Sequence, residues 1–424
     1  MPANTGNGEP GRKLRVLFTT QPASGHLRPL VPVARAAQRR GHDIRVATLD
    51  RMAGEVTGYG LPHLPAGYDW GPDMLSVLPR GFFLMSYADA ADALRDAAAG
   101  VTAIYAGRAA QRCAADVLKH AQDWRPDLVV READEFGGYL AAEALGIPHV
   151  SVASFGGLDD VTGPRLSPLL GKGRAELGLP DDPGGECLYR FLHATFVPRA
   201  YAEAEFILPN TRAYQHPLTG TADGHLPAWI TELDHARPFV FAAFGTVVYD
   251  LPGAREFVAE VIGALGSLPV TAVLAIGRGN DTGAFGAIPA NVTLVDFADQ
   301  RLMLEACDLF LTHGGLGSVK DALRLGVPMV GIGPGLDHRH NVDMLRRAGV
   351  GIAVDVHEAD ARTLADACRT VLSDPAYAAR ARAIQRYMQV LPPVDRLIVD
   401  CEQLPEGERD DRAKRTSAGV PGME

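Results

Sequence analysis

The chain has 424 residues, which is too long for one ordinary hydrophobic core and suits two domains of roughly 200 residues each. Hydrophobic residues make up 47% and charged residues 22%, as in ordinary globular proteins, and the formal net charge of -10 comes without a basic stripe, so we expect no nucleic-acid partner. No apolar run resembles a signal peptide or a membrane span, and the 5 cysteines are scattered, so we expect reduced thiols in the cytoplasm and no stable membrane insertion.

Predicted strands and helices alternate along the first half of the chain. A polar lead over residues 1–12 is expected to be disordered. The predicted strands are short runs of apolar β-formers, and they cover residues 14–20, 44–48, 127–130, 149–153 and 205–208. Helices are predicted over residues 30–40 and 136–145, with further helical stretches in the Ala-rich range 60–125. The Gly/Pro-rich range 156–186 is predicted to be a long loop.

The second half repeats this alternation after a break. Residues 211–236 carry prolines and glycines without a clear period, and we interpret them as a linker between domains. The strands predicted beyond the linker cover residues 239–244, 270–276, 292–295, 308–312 and 329–332. A further helix is predicted over residues 394–404, and the charged tail 405–424 is expected to be disordered. Strands alternating with helices on both sides of a linker predict an α/β fold with two doubly wound domains.

A Gly-rich turn separates a predicted strand from a predicted helix in the second half. Gly314, Gly315 and Gly317 follow the strand, and Ser318 opens the helix. Backbone N–H groups at such a turn point outward at the positive end of the helix dipole, which makes an anion site. His313 and the Ser318 hydroxyl can add side-chain donors to a phosphate bound there.

Further polar residues surround this turn in the predicted sheet. Asp321 lies three residues past Ser318 on the same helix face, where a carboxylate could accept two ribose hydroxyls. The next strand ends in a Gly/Pro loop with Asp337 and His338, and Asn341 follows. Because ligands bind at the carboxyl ends of parallel strands, the two adjacent strand ends predict one ligand site.

This block resembles the donor-binding signature of family 1 (UGT-like) glycosyltransferases, and of the bacterial natural-product type in particular. The run H-G-G-x-G-S, an acidic residue, G-V-P, Asp and Asn stand in the family's order and spacing. The resemblance implies the GT-B fold, in which two Rossmann-like doubly wound domains face each other across a cleft. It implies an acceptor-binding domain over residues 13–210, a nucleotide-sugar-binding domain over 237–390, and a C-terminal helix within 391–404 that crosses back to the first domain.

The resemblance also implies roles for the residues of the block. His313 and Ser318 would contact the pyrophosphate, Asp321 the ribose, and Asp337 the sugar hydroxyls. The family commonly has Asp-Gln where this chain has Asp337 and His338, and an imidazole offers fewer hydrogen bonds than an amide. The identity of the sugar is therefore left open.

Two pieces upstream match the same family. Gly245 and Thr246 follow the first strand of the second half, where the family places a phosphate-facing Gly-Ser/Thr. The run from Phe297 to Gln300 resembles the family's W-x-P-Q, so that Phe297 would stack on the pyrimidine base with Gln300 beside it. A core aromatic is the alternative interpretation of Phe297.

The first half carries the expected acceptor side. His26 stands in a G-H-x-x-P loop after the first strand, which is the family's position for the catalytic base, and an imidazole can take a proton at neutral pH. Glu132 stands where the family has the acidic partner of that base, just after a P-D-L strand. Asp134 and Glu135 are close enough in sequence to be rivals for this role.

The resemblance implies an inverting transfer of a sugar from a UDP- or TDP-linked donor to a hydroxyl of a small acceptor. Apolar residues over 74–87 suggest an apolar, natural-product-like acceptor, as in antibiotic biosynthesis, or ordinary core and lid packing. We expect no cofactor and no metal, although His338 and His340 beside Asp337 could suggest a metal site. We expect a monomer or homodimer. A cell-wall amino-sugar transferase and a catalytically silent relative that serves as a binding or partner protein are the alternatives.

Overall fold

The computed structural model describes residues 12–154, 163–201, 208–218, 225–245 and 248–404. Outside these ranges lie the expected disordered tail 405–424 and, apart from Arg12, the expected lead 1–12. Thr246 and most of the strand predicted over residues 205–208 also lie outside the described residues. Within them, the chain forms two β-sheets whose strands are all parallel.

The first sheet has the strand order β3-β2-β1-β4-β5-β6-β7 in the described part of the chain. Its strands are β1 (Arg15–Thr19), β2 (Asp43–Thr48), β3 (His63–Pro65), β4 (Leu128–Glu132), β5 (His149–Val152), β6 (Leu192–Thr195) and β7 (Thr211–Ala213). The order reverses between β1 and β4, so the carboxyl ends of these two strands border the crevice in which doubly wound sheets bind ligands.

The second sheet has the order β10-β9-β8-β11-β12-β13. Its strands are β8 (Phe239–Ala243), β9 (Thr271–Ala275), β10 (Val292–Val295), β11 (Leu309–Thr312), β12 (Met329–Ile332) and β13 (Gly351–Val354). Here the order reverses between β8 and β11, and the predicted phosphate turn follows β11. The two doubly wound α/β domains predicted from the sequence are therefore confirmed.

Helices lie between the strands in both halves. The first half contains α1 (Ser24–Leu27), α2 (Val31–Arg39), α3 (Ala53–Gly58), α4 (Gly71–Val77), α5 (Tyr87–Ile104), α6 (Ala110–Trp124), α7 (Gly137–Leu145) and α8 (Gly163–Glu176). The second half contains α9 (Ala254–Gly266), α10 (Gln300–Ala306), α11 (Leu316–Leu325), α12 (His338–Arg347), α13 (Ala361–Ser373), α14 (Pro375–Gln389) and α15 (Val394–Glu402). None of the described helices is both long and apolar enough to cross a membrane.

The strands are apolar on both faces because each sheet separates two cores. Along β1, Val16 and Phe18 belong to one core, and Leu17 belongs to the core on the opposite face. Along β8, Val240 and Phe241 likewise belong to two different cores on opposite faces of the sheet. Such continuous apolar runs are typical of parallel strands covered by helices on both sides.

Two interpretations of the sequence are corrected by the fold. Helix α8 lies inside the range 156–186, which was predicted to be a loop. The helix was missed because it contains Pro168 and several glycines, which have low helix propensity. Strand β7 lies inside the range 211–236 interpreted as a linker, yet it pairs with β6 and completes the first sheet. Strands β3, β6 and β13 were not predicted either.

The first domain receives helix α15 from the end of the described chain. Leu397 and Ile398 are 0% and 3% exposed and join the core that contains Val16 and Phe18. Helix α15 packs against α2, so this helix crosses from the second domain to the first.

Helix α5 makes a second connection between the domains. The ring of Tyr87, at its start, stacks on Phe257 of α9 with ring centroids 4.3 Å apart. Asp92, one turn further on, lies 2.8 Å from His357 Nε2. Tyr87 therefore belongs to the core of the second domain, although the sequence analysis grouped it with residues facing an acceptor.

Candidate active site

A histidine–carboxylate pair lies on the first-domain side of the cleft. His26 lies in α1, directly after β1, and Glu132 is the last residue of β4. Because β1 and β4 are neighbours, their carboxyl ends meet, and His26 Nδ1 lies 2.9 Å from Glu132 Oε2. A carboxylate only accepts hydrogen bonds, so Nδ1 carries the hydrogen and Nε2 is the nitrogen that can take up a proton.

Glu132 is completely buried and held in place from its other side. Its Oε1 accepts hydrogen bonds from the backbone N–H of Asp134 at 2.9 Å and from the Ser154 hydroxyl, which follows β5. Burial alone would lower the pKa of His26, but the adjacent Glu132 carboxylate outweighs it, and the pKa is raised. The pair therefore fixes the ring and makes it a stronger base.

The two rival carboxyls have other hydrogen-bond partners or act on His26 only through charge. Glu135 caps the start of α7, since its two oxygens accept the N–H groups of Gly137 and Gly138 at 2.6 and 2.8 Å. Burial, together with the charge of Glu132, raises the pKa of Asp134 to about 8, so this carboxyl is largely protonated at neutral pH. Of the three acidic candidates, Glu132 is the one that contacts His26.

An aromatic residue that the sequence analysis missed lies beside the pair. Tyr105 meets the His26 ring edge-on, with centroids 5.9 Å apart, and also contacts Trp70 at 5.5 Å. It lies in a single π-helical turn, Tyr105–Ala109, where α5 meets α6. Such turns recur at functional sites. The Ala-rich sequence around Tyr105 gives no local signal for the turn.

On the second-domain side, His313 follows β11 with its ring packed closely between two glycines. A Cβ atom at Gly245 would lie 2.8 Å from His313 Nε2, and one at Gly315 would lie 2.5 Å from it. Both positions therefore require glycine for the ring to fit. Burial, followed by the neighbouring His338, lowers the pKa of His313 well below its usual value, so the ring is neutral.

The turn after β11 is joined to the loop after β12. Gly314 has a φ of 80°, and a Cβ there would lie 2.4 Å from Val342 Cγ2. The Asn341 amide donates to the Gly314 carbonyl and to Asp337 Oδ2, both at 2.8 Å. Asn341 was predicted to bind the donor, and in the structure it fixes the loop that presents Asp337.

The start of α11 carries a chain of hydrogen-bonded side chains. Gly317, in the first turn, is open to the cleft, with nothing within 4 Å of the position of a Cβ. The Ser318 hydroxyl donates to Gln300 Oε1 at 2.9 Å, and Gln300 Nε2 donates to Asp321 Oδ2 at 2.9 Å. Asp321 Oδ1 lies 2.8 Å from His216 Nε2, which belongs to the segment after β7. Three predicted donor residues are thus brought together with a fourth, His216, which was not predicted.

Phe297 is too exposed to be a core aromatic. Its side chain is 51% exposed and borders a cavity of about 550 Å³, which Trp229 and Met303 also line. The Arg278 guanidinium carbon lies 3.6 Å from the centroid of the Phe297 ring. An aromatic face beside an open cavity suits a planar ring, and here a guanidinium already covers part of that face.

Two basic side chains complete the second-domain side. His338 is the first residue of α12; its ring lies 4.9 Å from that of His313, and burial lowers its pKa. Lys320 of α11 is 2% exposed, and burial lowers its pKa to about 8 although Asp321 and Asp337 oppose that shift. Lys320 was missed because a lysine on an amphipathic helix ordinarily faces solvent.

The two halves of the site influence each other across the cleft. Asp337 of the second domain adds to the negative field that raises the pKa of His26 in the first. His26, with its raised pKa, can take a proton from a hydroxyl on one side of the cleft. The N-terminus of α11 can receive an anionic leaving group on the other side. Among the residues that the structure describes, no group of three or more His, Cys, Asp or Glu side chains is arranged to hold a metal ion.

Comparisons with known proteins cover both halves of the chain. Residues 35–167 match the N-terminal domain, and residues 259–404 the C-terminal domain, of the erythromycin biosynthesis protein CIII-like family. L-demethylnoviosyl transferase of Streptomyces niveus is 30% identical over 88% of this chain and 93% of its own length. Aclacinomycin-T 2-deoxy-L-fucose transferase of Streptomyces galilaeus is 27% identical over 95% of this chain and 98% of its own length.

A solved structure extends the likeness to the fold. The glycosyltransferase SsfS6 of Streptomyces sp. SF2575, complexed with thymidine diphosphate, is 26% identical, with a TM-score of 0.70 over 92% of this chain and 99% of that chain. The predicted GT-B arrangement and the resemblance to natural-product glycosyltransferases are thereby confirmed. The chain belongs to the erythromycin biosynthesis protein CIII-like family and is a glycosyltransferase of the GT-B type.

Proposed function

We propose that this glycosyltransferase moves a sugar from a thymidine diphosphate donor to a hydroxyl of an apolar natural product, with inversion at the anomeric carbon. The observation that carries the proposal is the contact of 2.9 Å between His26 Nδ1 and the buried Glu132 carboxylate. The carboxylate orients the ring and stabilises the imidazolium, as uptake of a proton from an acceptor hydroxyl requires, and the pair lies at the carboxyl ends of β1 and β4.

The proposed reaction is a single displacement. The acceptor oxygen loses its proton to His26 Nε2 and attacks the anomeric carbon as the bond to the diphosphate oxygen breaks. The imidazolium that forms is stabilised by Glu132, which already accepts the Nδ1 hydrogen. Attack from the face opposite the leaving group inverts the anomeric centre.

The leaving diphosphate would be met by the start of α11. The N–H groups of Gly315 and Gly317 stand at the positive end of that helix, beside the neutral His313 ring. Lys320, buried within the same helix, adds positive charge at neutral pH because its pKa of about 8 keeps it mostly protonated. These groups supply charge stabilisation where negative charge develops, and we propose that no metal ion is required.

The nature of both substrates is proposed from the relatives and from the site. The thymidine diphosphate in the SsfS6 complex supports a thymidine nucleotide in this donor site. The 2-deoxy-L-fucose and demethylnoviosyl transferases named above support a modified sugar and a natural-product acceptor. We also propose that the enzyme works in the cytoplasm, which the 5 free cysteines, all within the described ranges, support.

Removal of the base tests the proposed function. His26→Ala should lower turnover at least about a hundredfold, a usual size for the loss of a general base, while the Kd for thymidine diphosphate stays unchanged because His26 lies in the other domain. The assay measures release of thymidine diphosphate from TDP-glucose and TDP-rhamnose with hydroxylated aromatic polyketide and macrolactone acceptors.

His120→Ala is a matched control, since His120 only contacts the Pro65 carbonyl outside the cleft. Inversion is checked from the anomeric coupling constant of the product. Near-normal turnover of His26→Ala would remove His26 from its proposed role. A wild-type chain that neither transfers nor hydrolyses any donor would point to a catalytically silent relative.

A further inference from the structure

One carboxyl group beside the His26–Glu132 pair has an oxygen that no described residue uses. Asp134 follows Glu132 by two positions, and its Oδ1 is buried without a hydrogen-bond partner among the described residues. A buried polar atom without a partner costs free energy, so its presence here needs an explanation. A bound ligand that supplies the partner would remove this cost.

The backbone of Asp134 is held on both sides. Its N–H donates to Glu132 Oε1 at 2.9 Å, and its carbonyl accepts a hydrogen bond from Gln21 Nε2 at 2.9 Å. The other end of the Gln21 amide accepts the indole N–H of Trp70 at 3.0 Å. These bonds fix the main chain at Asp134 and leave Oδ1 available.

Aromatic contacts close this chain of hydrogen bonds into a ring around the base. Trp70 contacts Tyr105 with ring centroids 5.5 Å apart, and Tyr105 meets the His26 ring edge-on at 5.9 Å. Burial, followed by the charges of Asp134 and Glu132, raises the pKa of Tyr105. The Asp134 carboxyl therefore faces the same enclosed space as the Tyr105 hydroxyl.

This space opens to the cleft through which an acceptor must reach His26. The charge of Asp337, in the second domain, raises the pKa of both His26 and Asp134. A charge that acts on two buried groups from across the cleft indicates that both groups border the cleft. The Asp134 carboxyl and the His26 ring thus face the position that the reacting hydroxyl of an acceptor would occupy.

Asp134 is a hydrogen-bond donor at neutral pH. Burial, followed by the charge of Glu132, raises its pKa to about 8, so the carboxyl is mostly neutral below that pH. A neutral carboxyl carries one O–H, which needs an oxygen that accepts it. Since Oδ1 has no partner among the described residues, a ligand oxygen can fill this place.

We infer that Asp134 contacts the acceptor, and that its carboxyl donates a hydrogen bond to a second acceptor oxygen next to the reacting hydroxyl. The two oxygens are expected to be neighbours because one carboxylate, Glu132, holds both His26 and Asp134. The preferred acceptors are therefore alcohols with a carbonyl or ether oxygen on the adjacent carbon. The inference rests on the proposed function, because it requires His26 to face the reacting hydroxyl.

Two isomeric hydroxyketones separate this hydrogen bond from apolar contact. The hydroxyl of 2-hydroxy-1-tetralone lies next to the carbonyl, whereas that of 4-hydroxy-1-tetralone lies across the same ring. Isothermal titration of the full chain, saturated with thymidine diphosphate at mildly acidic pH, measures both Kd values. The Kd of the 2-hydroxy isomer should be about threefold to tenfold lower, which is the size of one hydrogen bond.

Variants at the same position test the cause of this ratio. Asp134→Ala removes the donor, so the ratio of the two Kd values should fall towards one. Asp134→Asn keeps an N–H donor in the same place and should keep the ratio. Asp366→Ala is the matched control, because Asp366 pairs with Arg369 at the surface of α13.

The pH dependence of the ratio distinguishes a hydrogen-bond donor from a residue that only supports the fold. The wild-type carboxyl loses its proton as the pH rises through about 8, so the ratio should fall towards one in alkaline buffer. Asp134→Asn should keep its ratio there, because an amide does not ionise. Other titratable or charged groups act on both isomers alike, so the ratio cancels their effect; those around Asp134 are Glu132, Arg131, His26, Asp337 and Tyr105.

The outcomes distinguish this inference from the proposed function. Equal Kd values of the two isomers for the wild-type chain would overturn the inference even if Asp134→Ala fails to fold. A ratio that Asp134→Ala leaves unchanged, a wild-type ratio that is constant with pH, or failure to bind either isomer would overturn it as well. Each of these results leaves the proposed function standing, because turnover of TDP-linked sugars and the His26→Ala variant test that function separately.

Discussion

At the scale of single residues, the site depends on how one buried carboxylate is used. Glu132 has no exposed surface, and its two oxygens face different partners: His26 on one side, Ser154 and the Asp134 backbone on the other. Because these partners leave Glu132 no room to turn, the carboxylate sets both the direction and the basicity of the imidazole.

Removal of this charge should be visible in rate and in pH dependence. Glu132→Gln should lower kcat/KM about tenfold or more. This loss is a part of the rate enhancement of roughly 10²–10⁴ that general-base catalysis supplies. His26 must be neutral to act as a base, and its pKa is raised, so kcat/KM of the wild-type enzyme should fall as the pH drops through a value above 6.5. Glu132→Gln removes the largest contribution that opposes burial and leaves only the weaker charges of Asp134 and Asp337, so this acid limb should move to lower pH.

Asp134→Asn is the matched control for Glu132→Gln. Since burial raises the pKa of Asp134 to about 8, the carboxyl is already mostly neutral, and an amide should replace it with a smaller loss of rate. Equal or reversed effects of the two variants would transfer the partner role to Asp134.

His338 should influence which sugar is transferred. Burial lowers the pKa of His338, so its ring is neutral and offers one donor and one acceptor on opposite sides. A Gln could bond two adjacent hydroxyls, which predicts that His338→Gln improves transfer of glucose relative to a deoxysugar. One hydrogen bond is worth about 0.5–1.5 kcal/mol, so the ratio of the two kcat/KM values should change roughly threefold to tenfold.

The comparison for His338→Gln uses TDP-glucose and TDP-2-deoxyglucose, which lacks one of two adjacent hydroxyls, with one acceptor, and His340→Gln on the same helix is its control. If the ratio of kcat/KM for glucose to that for the deoxysugar stays unchanged or falls in the variant, His338 does not discriminate between the sugars. In that case, Asp337 is left as the predicted sugar-contacting residue of this loop.

Local spacing made part of this site predictable. His26 follows β1 and Glu132 ends β4, and the carboxyl ends of neighbouring parallel strands lie side by side, so their contact could be expected from the sequence. His216 could not, because it is a lone histidine in an irregular segment whose partner Asp321 lies 105 positions further along the chain. Tyr105 could not be predicted for a related reason, since an Ala-rich sequence does not indicate a π-helical turn.

At the scale of elements, the proposed phosphate site depends on the first turn of α11. The helix follows β11 after a turn whose glycines allow the His313 ring to pack closely and leave backbone N–H groups at the end of the helix. Spacing predicted this element well, although the helix begins at Leu316, two residues before Ser318. It did not predict α8 or β7, whose sequences lack helix and strand preferences and are fixed by packing on their neighbours.

Activity is expected to survive an excess of EDTA. In the proposed mechanism the helix terminus and Lys320 would offer positive charge, and His313 a hydrogen-bond donor, to the leaving diphosphate, in place of a divalent ion. Turnover measured with and without chelator should agree within error. Loss of activity in EDTA that Mg²⁺ restores would contradict the prediction, and Ca²⁺ and Mn²⁺ would then be compared as substitutes.

At the scale of the whole molecule, the domains are joined by more than a linker. Helix α5 inserts Tyr87 into the core of the second domain, and α15 inserts Leu397 into the core of the first. The crossing helix was implied by the family resemblance, but the insertion of Tyr87 was not foreseen, because an aromatic residue at the start of a helix gives no indication of which domain it packs against.

Leu397→Ala should destabilise the first domain by about 2–5 kcal/mol, the usual cost of truncating a fully buried leucine. Urea unfolding followed by the fluorescence of Trp70 and Trp124, which lie in the first domain, measures the change. Val390→Ala is the control, because Val390 is 79% exposed and should shift stability by less than about 0.5 kcal/mol. Equal midpoints for the two variants would show that α15 adds little to this core.

The position of α15 also constrains the order in which the two domains can fold during synthesis. A ribosome releases the chain from its N-terminus, yet the core around β1 lacks Leu397 and Ile398 until the last described helix has emerged. The core of the second domain also takes Tyr87 from the first half, but Tyr87 is synthesised before the rest of that core and causes no such delay. The half that is synthesised first therefore completes its core only when the end of the described chain has emerged, and until then the face of α2 that α15 covers has no packing partner.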